Sequence, residues 1–495
     1  MRRKLALLAA GAALLAGCTD FAPKYQAPIV AVPASYKEVG VWQPANPKDT
    51  IPKGAWWKIY HDDTLDRLED RLNQANPTIQ AAVAHYDSAR AVVAQVNSVL
   101  FPFLSTGAPF TANRQSAKAP LRGQNQPNQY GLNNIGAGAG YEVDLWNQLH
   151  DQVKIAKYNA QAAAALLVNA QLSLQAQLAS NYMLLRGLDA ELDVIHRAVE
   201  DYRQGVAIVS NRYQGQIASG LDIAEAKTVL EQAEAEESDV RASRALVEHA
   251  IAALVGVPAS QFSIAPKVVS IPVPQIPTGL ASDLLQRRPD IAAAERLVAA
   301  ANEDIGVTKA AFFPVLNLGA VYGYENDGAV QTLLMAPLSY WTVGPQFLLP
   351  LFEGGYRRGA EAQAYARLRE AVDQYRATVL EAFQEVEDDL ALLNNLGQEF
   401  EQITEAVQDA GRALQLATSL FVEGGTNYLD VVVDDIQWLN SQVSAIQVQT
   451  RRLQANVDLV RALGGGWSTA DLPTPDQTLT LDPLKEGFSN PYKQN

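Results

Sequence analysis

The chain has 495 residues, of which 54 are acidic and 39 basic, for a net charge of −15. An acidic chain of this size without basic clusters is not built to bind nucleic acid, which needs Lys/Arg-rich surface against the phosphates. A single cysteine excludes an internal disulfide and a thiolate metal cage.

The N-terminus is a short basic start, Arg2-Arg3-Lys4, followed by an apolar run from Leu5 to Ala16. Twelve residues are too few to span a bilayer and fit a signal-peptide core, so residues 1–17 are expected to be removed. The run ends in Leu15-Ala16-Gly17-Cys18. This tetrapeptide resembles a bacterial lipobox, and Thr19 stands where an aspartate tends to retain lipoproteins at the inner membrane. That resemblance implies lipid on Cys18 and sorting to the outer membrane, with acyl chains enough for stable anchoring. Residues 18–60 are proline-rich, with Ala22-Pro23-Lys24-Tyr25 near the start and Trp56-Trp57 near the end. Such a segment has no core of its own and is expected to lie extended along the main body.

From here the chain is one unit written twice. Asn76–Ala108 returns without a gap 212 positions later as Arg288–Ala320, with Pro77 on Pro289 and Pro102 on Pro314. Later, Tyr213–Asp222 aligns with Phe421–Asp430, each with nine residues from ring to carboxylate. A period near 210 is too long for a solenoid and reads as duplication of a supersecondary assembly. The repeats are expected at 61–260 and 284–467, with a linker at 261–283 and a tail at 468–495.

In each repeat Pro77 or Pro289 opens a helix, with Asn76 as the first N-cap, and the helix ends before Pro102 or Pro314. The period then changes to two. Strands are predicted at about 102–112, 131–146, 314–325 and 340–352, apolar on one face and Gly/Asn-rich on the other. Tyr141, Tyr322, Tyr324 and Trp341 fall on the apolar face, and Asn134, Asn317 and Gln346 on the polar one. Strands of about ten residues with that alternation suit a membrane barrel with a wet interior.

After each strand pair comes a proline-free stretch that reads as a long helix, a turn near 213–222 or 421–430, and a return helix. Leu429, Val432, Ile436, Leu439, Val443, Ile446, Thr450, Leu453, Val457 and Val460 alternate spacings of three and four, a coiled-coil seam broken only by Thr450. The first copy is less clean, with Glu237 and Arg244 interrupting. The short helix of each repeat could stack end to end with its return helix and match the long outgoing one. Gly220 and Gly424-Gly425 are expected to permit the reversals, with Asp222 and Asp430 beginning the return helices.

Four strands cannot close a barrel, and an open edge in lipid leaves backbone groups unpaired. Two chains would give a filled eight-stranded interior; three give twelve strands and a lumen, which the inward Gly and Asn favour. The expected fold is therefore an α+β membrane protein with four transmembrane strands per chain, a trimeric twelve-stranded barrel and a long helical barrel below it. No catalytic constellation is present. The five histidines lack metal-ligand spacing, Gly136–Gly140 lacks a nucleotide loop's remaining residues, and the paired aspartates 388-389 and 434-435 point apart on helices.

Taken together, the chain resembles the bacterial outer-membrane efflux protein family, most closely its lipoprotein branch of TolC/OprM/NodT type serving resistance-nodulation-division pumps. The residues that carry the resemblance are Ala22-Pro23-Lys24-Tyr25, Trp56-Trp57, Asn76-Pro77, Gly424–Asp430 and Leu463-Gly464-Gly465-Gly466-Trp467. It implies a homotrimeric exit duct in the outer membrane that meets a periplasmic adaptor and an inner-membrane pump, conducts passively, and has neither enzymatic activity nor cofactor. Relatives often carry a gate aspartate six residues after the asparagine of Asn-Tyr-Leu; here that place is Val433. The implied gate is therefore Asp430 or Asp434, with Asn427, Tyr428, Arg212 and Tyr213 nearby. The alternatives are the exit duct of a type I protein-secretion system, which the lipobox disfavours, and a lipid-anchored coiled-coil tether. An envelope hydrolase is disfavoured by the missing motifs.

Overall fold

A computed structural model describes residues 19–33, 35–38, 54–116, 118, 127–276, 281–328 and 330–479. Cys18, the signal segment and the tail beyond Leu479 lie outside the described residues. In chain order the main elements are α1 (Asp63–Ala75), α2 (Pro77–Asn97), β1 (Phe103–Gly107), β2 (Phe110–Arg114), β3 (Gln129–Val143), α3 (Gln148–Gln214) and α4 (Gly220–Leu254). They are followed by α5 (Pro289–Ala310), β4 (Val315–Asn326), β5 (Ser339–Leu348), α6 (Tyr356–Val422) and α7 (Tyr428–Ala462). The duplication is metrically strict: α3 and α6 have 67 residues each, and α4 and α7 have 35 each. At 1.5 Å per residue the outgoing helices run about 100 Å and the returning ones about 53 Å.

The sheet is antiparallel in the order β1-β3-β4-β5, with β2 also on β3. The strand expected near 102–112 is thus split. Its register nevertheless runs on unbroken, from Gly107 opposite Gly136 to Phe110 opposite Asn133. Pro109, which has no N–H for the ladder, sits at the interruption, and its carbonyl still accepts from the Asn134 amide at 3.0 Å. The last strand stops at Leu348, before Pro350, so Leu349 and Leu351 do not belong to it. Likewise Leu145 and Trp146 follow the end of β3.

Register sets the faces. Ala137, Tyr322 and Trp341 stand side by side across three strands, as do Glu142, Asn317 and Gln346 on the opposite face. On the apolar face Leu104 is 83% and Trp341 71% exposed. On the other face the Phe103 ring lies over Gly140, where a Cβ would collide with it.

Each short helix stacks on the end of its own return helix. Asn76 caps α2 by accepting from the amides of Thr78 and Ile79 at 2.8 and 3.1 Å, and donates its Nδ2 to the Leu254 carbonyl at 2.7 Å. In the second copy Arg288 donates to the Ala462 carbonyl at 3.1 Å. The pairs α4–α2 and α7–α5 therefore run as broken rods beside α3 and α6.

The largest core lies where α1, α3, α6, α7 and the linker meet, and includes Trp56, Tyr60, Leu72, Tyr182, Val379, Leu390 and Val457. The seam interruptions have structural reasons. Thr450 turns its Oγ1 back to the Ile446 carbonyl at 2.8 Å and seats its side chain over Gly187 of α3. Arg244 is buried against Asp189 at 2.6 Å and donates to the Ile264 carbonyl at 2.7 Å; Arg186 completes the set on Asp189 at 2.7 Å. That network fastens the linker to α3 and α4. Among the described residues no helix is long and apolar enough to cross a membrane.

Candidate functional site

The hairpin tips are built from helix-ending geometry. At the first, the Ile217 amide donates to the Arg212 carbonyl at 2.8 Å and the Gln216 amide to Tyr213 at 2.8 Å, a Schellman motif. At the second, Gly425 donates to Leu420 at 2.8 Å and Gly424 to Phe421 at 3.1 Å, the same motif. The left-handed residue is Gly424, at φ +80°, in one tip but Gln216, at φ +62°, in the other. This corrects the expectation for Gly220 and Gly425, neither of which has positive φ. Gly220 is the first residue of α4, where an ordinary helical backbone suffices.

Asp222 and Asp430 both occupy the third position of their return helices. Asp222 accepts from the Ser219 amide at 2.7 Å while Ser219 Oγ accepts from the Asp222 amide at 3.2 Å, a reciprocal capping box. Asn427 caps α7 by accepting from the Asp430 amide at 3.0 Å, and the Asp430 carboxylate takes the Thr426 hydroxyl. Asp430 is exposed, Asp222 is half-buried, and Asp434 is half-buried one turn further in.

The two tips touch through rings. The Arg212 guanidinium lies 5.5 Å over Phe421, and Phe421 is 5.7 Å from Tyr428. The Tyr428 hydroxyl reaches across to Gly205 of α3, where a Cβ would collide with it. Tyr213 stays near Gly220, about half exposed. Among the described residues no ion pair joins Arg212 to Asp430 or Asp434. One turn deeper lies Asp435, which the sequence shows only as half of an aspartate pair pointing apart on a helix. Burial raises the Asp435 carboxyl above the usual range, the facing Tyr202 hydroxyl pulls it down, and nearby Asp201 raises it. Burial and Asp435 together raise the Tyr428 phenol. In the sequence Asp435 stands directly beside the seam residue Ile436.

A second cluster lies at the junction of sheet and helices. Lys154 Nζ donates to Asp20 at 2.8 Å, Asp151 at 2.9 Å and Glu303 at 3.1 Å. Their carboxylate oxygens lie within 4.8 Å of one another, a spacing that could hold a cation, and the ammonium supplies that charge. Burial pushes the Asp151 carboxyl up to about 6 despite Lys154. Phe21, on the same N-terminal segment, stacks on Phe313 at 4.6 Å, with Trp146 alongside at 6.3 Å.

A family model described as outer membrane efflux protein matches residues 68–257 and 280–465, one stretch over each repeat. The chain belongs to that family. It is 29% identical over 462 residues to the outer membrane protein OprJ of Pseudomonas aeruginosa, covering 92% of this chain and 94% of that one. It is 27% identical over 464 residues to the toluene efflux pump outer membrane protein TtgF of Pseudomonas putida, covering 92% and 95%. Among solved structures it is similar to the Campylobacter jejuni CmeC outer membrane channel, with TM-score 0.86 at 22% identity over 94% of this chain and 99% of that one. It is also similar to VceC of Vibrio cholerae, with TM-score 0.76 at 28% identity over 83% and 99%. The protein is thus an outer-membrane efflux channel, a member of a transport family.

Proposed function

We propose that three copies of this chain close a twelve-stranded barrel in the outer membrane and continue it as a helical tunnel into the periplasm. One observation carries this reading: the sheet has two free edges, β1/β2 and β5, on an outer-membrane protein with an exposed apolar face. Unpaired strand edges are not tolerated in hydrocarbon, so other strands must cover them. Twelve strands leave a lumen for Asn134, Asn317 and Gln346 to line. Helices of about 100 Å carry the bore towards the inner membrane, where the tips receive a periplasmic adaptor and an inner-membrane pump. Conduction is passive, and the pump supplies the energy.

The cargo is small molecules. Relatives bear names for pyoverdine export and for antibiotic, toluene and solvent efflux. This favours drug-type efflux over protein secretion. Cys18 carries the lipid, with Asp20 and Phe21 held where the sheet begins. At the inner mouth Asp430 or Asp434, with Tyr428, Tyr213 and Arg212, sets the constriction; Asn427, Gly424 and Asp222 shape the turns that present it. Deleting the protein from its own cells and measuring accumulation of a fluorescent apolar dye tests the reading. Accumulation should rise and return to normal on re-expression; unchanged accumulation in the deletion strain would overturn it.

A further inference from the structure

The N-terminal segment just after Cys18 is seated in a groove that only one of the two repeats provides. Asp20 reaches Lys154 of α3, Phe21 stacks on Phe313, the Pro23 carbonyl accepts from Asn302 Nδ2 at 2.7 Å, and the Tyr25 hydroxyl meets Glu295. Gly306 makes room, because a Cβ there would lie 2.9 Å from the Ala22 nitrogen and collide with the Asp151 carboxylate. In the gapless alignment of the repeats, Glu295, Asn302, Glu303 and Gly306 of α5 correspond to Val83, Arg90, Ala91 and Ala94 of α2. The first copy thus lacks the acceptor, the amide, the acid and the space.

We propose that this groove is a clamp for residues 19–25, held shut by Lys154, which fixes where the anchor enters the membrane. The last clause rests on the reading of Cys18 as the lipidated residue. The electrostatics point to Lys154 as the closing group. Asp151 is fully buried and Glu303 is 6% exposed, so neither can leave. Asp20 is exposed and belongs to the docked segment. Without the ammonium three carboxylates within 4.8 Å repel one another, and the segment bearing Asp20 is the part free to move. Phe21 is wedged against Trp146, just after the end of β3, and Phe313, just before the start of β4. The segment from Asp20 onward is therefore held at the foot of that strand pair, and a lipid on the chain just ahead of it would enter the periplasmic leaflet there.

Hydrogen exchange of residues 19–25 in the full-length protein purified from membranes tests this. The wild-type segment should be protected. Lys154→Ala and Asp20→Ala should each exchange about tenfold faster there, with α3 and the sheet unchanged. Lys154→Arg should retain most of the protection. Asp20 is on the surface, so Asp20→Ala keeps the test open if Lys154→Ala misfolds. Equal exchange in all four proteins would overturn the clamp. Acyl labelling of Cys18, followed in parallel, separates the two ideas. Protection without acylation removes the lipid reading and leaves the clamp, whereas acylation without protection removes the clamp alone.

Discussion

Asn76 and Leu254 are joined by a 2.7 Å hydrogen bond from side-chain amide to carbonyl, and this bond splices the short helix α2 onto the end of α4. Arg288 and Ala462 repeat the splice in the second half. Both joints also require a left-handed glycine, Gly256 at φ +71° and Gly464 at φ +89°, packed against the carbonyls of Ala75 and Arg287. The splice lets a 35-residue return helix and a short helix together flank a 67-residue outgoing one.

The splices should therefore be intolerant of small changes. Asn76→Ala removes an N-cap and orphans a buried carbonyl, costing roughly 2 kcal/mol. Gly464→Ala adds left-handed strain and a collision with the Arg287 carbonyl and should cost more. Thermal unfolding followed by circular dichroism should rank Gly464→Ala below Asn76→Ala, and both below wild type.

At the tips the two copies should respond in opposite senses. Gln216 adopts the left-handed conformation that Gly424 holds in the other hairpin. Gln216→Gly should stabilise its tip and Gly424→Ala destabilise the other, each by about 1 kcal/mol. Gly220→Ala should have little effect. Protease nicking at the tips would report the order, and equal effects of Gly220→Ala and Gly424→Ala would contradict the assignment.

Much of this architecture was legible in the sequence. The gapless repeat, Asn76-Pro77 and the alternation of strand residues are local patterns whose physics fixes helix starts and sheet faces. The left-handed Gln216 was not legible, because the Schellman bonds rather than the residue type impose it. Thr450 and Arg244 read as seam defects until Gly187 and Asp189 stand opposite them. The Lys154 cluster unites residues 134 and 149 positions away, beyond the reach of any periodicity.

Neighbouring residues on β4 offer a test of the faces. Leu318 shares a face with Tyr141 and Pro345, whereas Asn317 shares the other with Glu142 and Gln346. A charge facing lipid at the midplane costs about 2–4 kcal/mol. Leu318→Arg should abolish heat-resistant trimers in the outer membrane while Asn317→Arg permits them. Equal tolerance would reverse or dissolve the face assignment.

Stability should depend on pH through Asp389, which burial, reinforced by Asp458, pushes up to about 7. The folded protein then binds a proton that the unfolded chain releases near 3.8, so this group's stabilisation is present at low pH and lost as pH rises towards 7. Asp389→Asn should flatten the fall in melting temperature between pH 5 and pH 8. An identical fall in the variant would contradict it.

The most direct test of the duct is single-channel recording of the purified protein in planar bilayers, wild type beside the Asp430→Ala/Asp434→Ala double variant. A trimeric duct gated at its tips predicts discrete conductance steps from intact trimers, and an altered conductance or cation selectivity in the variant. Intact inserted trimers that pass no current in either form would contradict the duct, and identical conductance and selectivity would move the gate away from these two carboxylates.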